Sequence, residues 1–450
     1  MNRRDLLRRF GAWPLMSAGL GAAGALVLPR SAMAADYRAL VCVFLSGGND
    51  GNNLLVPTDG AYADYSAARF DLALPRDSLV ALSGTSAGHA FGVHPAASGL
   101  ATLYNQKRLA FIANVGPLVQ PVTAAQVLNH TAVVPPFLLS HSDQVAMQQG
   151  WSGDEDASGW AGRSLELLPA DLRHSVNALS ADNDRTLVLG RASGVASFRP
   201  GGARYWGTAD LAQPSTAATQ SLNRMAQWQF SNDYESEYAR TFGAAVEEST
   251  IITQAFLRST TPQGDFGSDD LSRNLRSIAQ VLPAFKAMGY RRQVFLLHWG
   301  QFDTHTGQRG TGERTQDAQI ATLSQAITAF DAAIRAAGMD TDVTTLMMSD
   351  FGRTLKPASG GGSDHAWGNH WFVAGGAVAG GQVVGQLPSL KLGGTDDFDR
   401  AGEGRFVPTL SSDQVGATIM QWMGLPSASL LGAFPHLANF SRRNLGFMQA

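Results

Sequence analysis

Ala39-Leu40-Val41-Cys42-Val43-Phe44-Leu45-Ser46 is an almost continuous apolar run, β-branched in part, and it breaks directly into Gly47-Gly48-Asn49-Asp50-Gly51. A run of that length bounded by turn residues reads as a buried parallel strand ending in a tight loop. Three further segments repeat the pattern. Leu109–Val115 runs into Gly116-Pro117, Gln293–Leu297 into His298-Trp299-Gly300, and Thr344–Met348 into Ser349-Asp350-Phe351-Gly352. Between the last two, Ile320, Leu323, Ile327, Phe330 and Ile334 are spaced as one apolar helical stripe, with Gly338 placed to close it. Helices are also expected over about 221–258 and 269–288. Strand, helix, strand in this order predicts βαβ units, a parallel sheet and right-handed crossovers.

Of 450 residues, 44% are hydrophobic and 16% charged, which supports a large core and excludes a disordered chain. A net charge of −3 leaves no electrostatic footprint for nucleic acid. One cysteine, Cys42, excludes an internal disulfide framework and a thiolate-cluster metal site. At the start, Arg3-Arg4 precedes an uncharged stretch from Phe10 to Leu28, and Ala32-Met33-Ala34 has the small-x-small form of a cleavage site. Residues 1–34 therefore read as a twin-arginine signal peptide, cleaved after Ala34, which sends the rest to the periplasm or beyond with no membrane span. The twin-arginine translocase carries folded cargo, which suits a protein loaded with metal before export. Residues 35–450 are expected as the functional domain, with an irregular, Gly-, Ser- and Asp-rich insertion over about 151–215. The stretch 359–381 reads as a loop.

Acids and histidines gather at strand ends. Asp50 follows the first strand. Ser140, His141, Ser142 and Asp143 begin a helix after the second. His298, Asp303 and His305 follow the third, and Asp350 the fourth. Asp364, His365 and His370 come after Gly360-Gly361-Gly362. In open α/β sheets ligands bind beyond the carboxyl ends of strands. The set is oxygen and imidazole without thiolate, which suits Zn, Mn or Mg. One or two ions held about 4 Å apart by such ligands clamp the attacking and leaving oxygens of a displaced phosphoryl group. Ser140 at a helix start is a candidate nucleophile, and Arg353 a candidate for holding an anionic oxygen. Each piece also has an ordinary reading: Asp50 as an Asx turn, Asp350 and Ser140 as helix caps, His298 as a core histidine. His89, His94, His130, His174 and His436 are read as ordinary histidines.

The motifs GGNDG, LLSHSDQ, HWGQFDTH, SDFGR and GGGSDHAWGNH, behind the twin-arginine leader, resemble an uncharacterised family of exported bacterial proteins in the alkaline phosphatase and sulfatase superfamily. The late segment Pro408–Pro426 also looks like that superfamily's C-terminal helix. The resemblance implies an α/β/α sandwich with two metals over the C-terminal edge of a mostly parallel sheet. It further implies Asp50 as bridging acid, Ser140 as nucleophile and Asp303 as a first-metal acid, with His298 where a further ligand often stands. His305 would be the paired histidine, Asp350 the second-metal acid, and His365 or His370 the last first-metal ligand. The pattern departs from the phosphatases where Asp-x-x-x-His becomes Asp303-Thr304-His305, and where Asp-His becomes Asp350-Phe351, with Asp364 or His365 as replacement. No Cys- or Ser-x-Pro-x-Arg is present, which excludes the formylglycine mechanism. The expected function is an exported metal-dependent hydrolase of phosphate or related anionic esters, a small-molecule or polysaccharide substrate included. The alternative is a non-catalytic metal- or polysaccharide-binding envelope protein on the same fold.

Overall fold

The computed structural model describes residues 37–150, 156–200, 216–225 and 227–449. The twin-arginine leader expected at 1–34 lies outside them. The four apolar runs form strands at the centre of the molecule: β1 (Arg38–Leu45), β5 (Leu109–Gly116), β8 (Arg292–Trp299) and β9 (Val343–Ser349). They share one sheet with β6 (Ala178–Ser180), β7 (Ala196–Ser197), β10 (Asn369–Ala374), β11 (Gln382–Gly385) and β12 (Leu410–Ser411). Its order is β11-β5-β10-β9-β1-β8-β6-β7, with β12 also on β5. A small antiparallel sheet, β2 (Leu55–Pro57), β3 (Val80–Ala81) and β4 (Phe91–Val93), stands beside it in the order β2-β4-β3.

Side chains alternate across the main sheet with the two-residue period of a strand. Val41, Val43, Phe111, Phe295, Met347 and Phe372 face the helices Ser98–Asn105, Asp270–Ala287 and Gln316–Ala336. Leu40, Cys42, Ile112, Leu296, Met348 and Val373 face Trp160–Glu166, Ser412–Trp422 and Leu430–Ala433. With both faces covered, the strands read as unbroken apolar runs. The architecture is the expected α/β/α sandwich on a mostly parallel sheet.

Helix Gln316–Ala336 carries the predicted stripe. Thr315 caps its start by accepting from the Ala318 amide, and Gly338 adopts φ +67° just past its end. The expected helix over 221–258 is two, Ala217–Met225 and Asp233–Leu257, split at Asn232, whose side chain caps the second. Within 151–215, the described part carries a helix and the strands β6 and β7. Among the described residues, no helix is long and apolar enough to cross a membrane.

The stretch 359–381, read as loop, is corrected by the structure: it contains β10, a central strand. β10 is paired antiparallel to both neighbours, while every other pairing in the sheet is parallel. Its glycine-flanked, histidine- and tryptophan-bearing sequence hid a six-residue strand. The reversal matters for function, because the start of β10 lies at the same rim as the ends of β1, β5, β8 and β9.

Candidate metal centre

The rim is built by loops that pass unusually close. Gly47 and Gly48 leave β1 with φ +103° and +77°, in the left-handed region. A Cβ on Gly47 would stand 2.5 Å from the Asp303 amide nitrogen, and one on Gly48 would collide with the Phe351 ring. The glycines thus let the loops after β8 and β9 fold down onto the end of β1. Arg353, fully buried, ties the same loops together. Its Nε donates to the Gly48 carbonyl (2.8 Å), Nη1 to that of Ser363 (2.9 Å) and Nη2 to that of Phe302 (3.1 Å), with a further bond to Gly47. Nη2 also meets Asp303 Oδ1 at 2.6 Å.

Three imidazoles converge on that carboxylate. His141, the first residue of helix His141–Gln149, places Nε2 3.5 Å from Asp303 Oδ1. His305 Nε2 lies 3.1 Å and His365 Nε2 3.3 Å from the same oxygen. The ligating atoms of His141, Asp303 and His365 all lie within 4.8 Å of one another. Each ring is held from behind through Nδ1: His141 by Asp350 Oδ2 at 2.8 Å, His305 by Asp364 Oδ1 at 2.7 Å, and His365 by the Leu139 carbonyl at 2.7 Å. A carbonyl only accepts, so His365 carries its proton on Nδ1 and turns a bare Nε2 inward. Ionised carboxylates impose the same tautomer on the other two rings. Carboxylate or carbonyl behind Nδ1 and a free Nε2 in front is how metal-binding histidines are oriented.

Electrostatics point the same way. Partial burial raises the Asp303 carboxyl, but the Arg353 hydrogen bond and charge, with His141 and His305, bring it down to about 2. His141 is raised by its bond to Asp350, against a smaller opposing effect of burial. His365 is lowered, mainly by burial. Two features fit a cation at the centre. His141 Nε2 is buried and has no hydrogen-bond partner. His305 Nε2 and His365 Nε2 stand 2.9 Å apart, so two lone pairs face each other with nothing between them. Ligands about 2.0–2.1 Å from a tetrahedral ion stand about 3.3 Å apart; the spacings here run from 2.9 to 3.5 Å.

The other expected residues are placed differently. Asp50, expected as a bridging ligand, is buried in an ion pair with Arg69, and accepts from Gln308 Nε2 (2.6 Å) and the Asn52 amide (3.0 Å). Its carboxylate is fully occupied in capping the turn Gly51–Leu54. Asp350 accepts two 3.1 Å contacts from the Gly47 amide besides His141, and so stands behind a ligand. Asp364 does the same for His305. His370 is buried, pushed down to about 4 by burial, and its Nδ1 accepts from the Asn114 amide at 3.0 Å. His298 stacks on Phe44, with Nε2 3.6 Å from Asp184. Ser140 donates to Asp143 and lies 3.2 Å from Ser142 Oγ. Arg353 has its donors on carbonyls and Asp303 and is not exposed to hold a substrate oxygen. Sequence reasoning quoted His141 without assigning it; its place beside Ser140 at a helix start was the available signal. A cavity of about 1260 Å³ opens elsewhere, between loop 189–197 and helix Asp233–Leu257, and none of the converged imidazoles lines it.

The profile of a family described as "Protein of unknown function (DUF1501)" matches residues 37–398. No curated protein matches the chain. Among solved structures, the chain is similar to Ps i-CgsB in complex with k-i-k-neocarrahexaose (11% identity, 91% of this chain and 77% of that one, TM-score 0.33). It is similar to the phosphonate monoester hydrolase SpPMH from Silicibacter pomeroyi (11%, 87% and 74%, TM-score 0.33). It is also similar to the C-terminal periplasmic domain of EcEptC from Escherichia coli, in complex with Zn (10%, 90% and 89%, TM-score 0.33). Overlaps this weak establish neither a shared site nor a shared activity.

Proposed function

The chain belongs to the DUF1501 family, and from that premise we propose that it is an exported metal-dependent hydrolase of phosphate or related anionic esters. The observation that supports the reading is the meeting of His141, His305 and His365 Nε2 with Asp303 Oδ1, each ring braced through Nδ1. His141, Asp303 and His365 would hold one divalent ion, with His305 as fourth donor. Three imidazoles favour Zn or Mn over Mg. When bound, the ion supplies Lewis acidity toward an ester oxygen.

The chain's own groups do the rest. Asp303, kept ionised by Arg353, fixes a negative charge among neutral rings. Asp350, Asp364 and the Leu139 carbonyl hold those rings in one tautomer. Ser140, next to His141 in the chain, is the proposed nucleophile, and its hydroxyl proton already has an acceptor in Asp143. Residues 1–34 are the proposed twin-arginine leader.

The test is metal content of the purified chain, measured beside turnover of an aryl phosphate. Asp303→Ala and His365→Ala should lose both. Ser140→Ala should keep the metal and lose at least a hundredfold in kcat. A wild-type chain that binds no divalent metal refutes the reading. One observation favours a second reading, a metal-holding envelope protein without turnover: Arg353 is enclosed by carbonyls and leaves no open cation to receive an ester's anionic oxygens. Bound metal with no turnover would select it.

A further inference from the structure

The strap before the site, Thr131–Ser140, is apolar yet open to solvent. Val134 and Leu138, four residues apart, pack against the small core of Leu118, Trp367, Val407 and Phe440. Val133 and Phe137, also four apart, are 60% and 73% exposed. One face is anchored and the other is bare. Pro135-Pro136 stiffens the backbone between.

The strap is also strained. Seven non-glycine residues among those described adopt positive φ, and three fall here: His130 (55°), Phe137 (50°) and Leu139 (73°). A bulky residue in the left-handed region costs about 1–2 kcal/mol. Phe137 gains no burial in return. Its carbonyl accepts from the Ser140 amide at 3.3 Å, which fixes the turn. Two residues on, Leu139 gives its carbonyl to His365, and two residues further stands His141. Two residues span at most about 7 Å. An exposed aromatic ring is therefore fixed on the same stiff segment that orients two of the three imidazoles.

We propose that Phe137, flanked by Val133, is a specificity-determining residue that receives the apolar part of the ester, so that the substrates are aryl or long-alkyl esters in preference to small hydrophilic ones. The inference rests on the hydrolase reading and names its substrate class. Covering one aromatic face removes enough apolar surface for roughly a tenfold gain in affinity.

The test is calorimetric binding of phenylphosphonate and methylphosphonate, both inert to hydrolysis, to the full chain supplemented with zinc or manganese. Wild type should bind the phenyl compound about tenfold more tightly. Phe137→Ala should bring the two within twofold and leave methylphosphonate affinity and Tm unchanged. Phe137→Trp should keep the preference, as should Tyr234→Ala, which removes a remote exposed ring. Equal binding of both probes by wild type, or an undiminished preference in Phe137→Ala, overturns the inference and leaves the hydrolase reading standing. If neither phosphonate binds the metal-loaded wild type, the hydrolase reading falls and this inference falls with it.

Discussion

Asp350 touches no position a substrate would occupy, yet it sets the ring of His141 through a 2.8 Å bond and is itself pinned by the Gly47 amide. Asp350→Asn removes the charge behind the ring and should weaken metal binding about 10- to 100-fold, read by competition with a chromophoric chelator. Arg353 is the more demanding position. Lysine offers one point charge where the guanidinium reaches five oxygens, so Arg353→Lys should lose about 3–5 kcal/mol in urea unfolding. At this scale the sequence exposed donor types but not their roles. Asp303, His305 and His365 were legible because each sits in a polar motif at a strand boundary. Asp50 looked the same and is a buried partner of Arg69, since nothing in the local pattern reveals an arginine nineteen residues away. Arg353 looked like an anion holder, and only burial shows that its donors are taken.

The junction between β1 and its following loop has no tolerance for a side chain. Gly47→Ala forces a Cβ against the Asp303 backbone in a backbone conformation L-residues avoid, and should cost about 3 kcal/mol or more along with metal binding. A separate element shows a pH signature. Asp413, in the first turn of helix Ser412–Trp422, is pushed up to about 7 by burial, with Arg163 opposing. Its unfolded value is about 4, so it is protonated in the fold and ionised in the unfolded chain between those limits. Stability contributed by the protonated acid is lost as pH rises through that window. Asp413→Asn should therefore raise Tm more at pH 8 than at pH 5, and a flat difference would remove this account. The long elements were legible because strand runs and the 3.6-residue stripe are strong periodic signals. β10 was not, because an antiparallel strand entered from a glycine loop carries histidine and asparagine where the parallel strands carry leucine and valine.

For the whole chain, metal and fold are linked by mass action. An ion that binds only the folded state, at a hundredfold excess over Kd, adds about 2.7 kcal/mol. A chelator should lower Tm of the wild type by several degrees and leave His365→Ala unmoved. The sandwich follows from binary patterning, but the convergence of the rim does not. It depends on which strands become neighbours, and β8 and β9 flank β1 from positions about 250 and 300 residues along. The guanidinium of Arg353 has a thermodynamic consequence for this rim. Because it already laces the surrounding loops to one another before any ion arrives, loading should neither gather loose chain nor bury greasy surface. The heat of zinc uptake should then vary little with temperature, giving a heat-capacity change near zero once buffer protonation is subtracted.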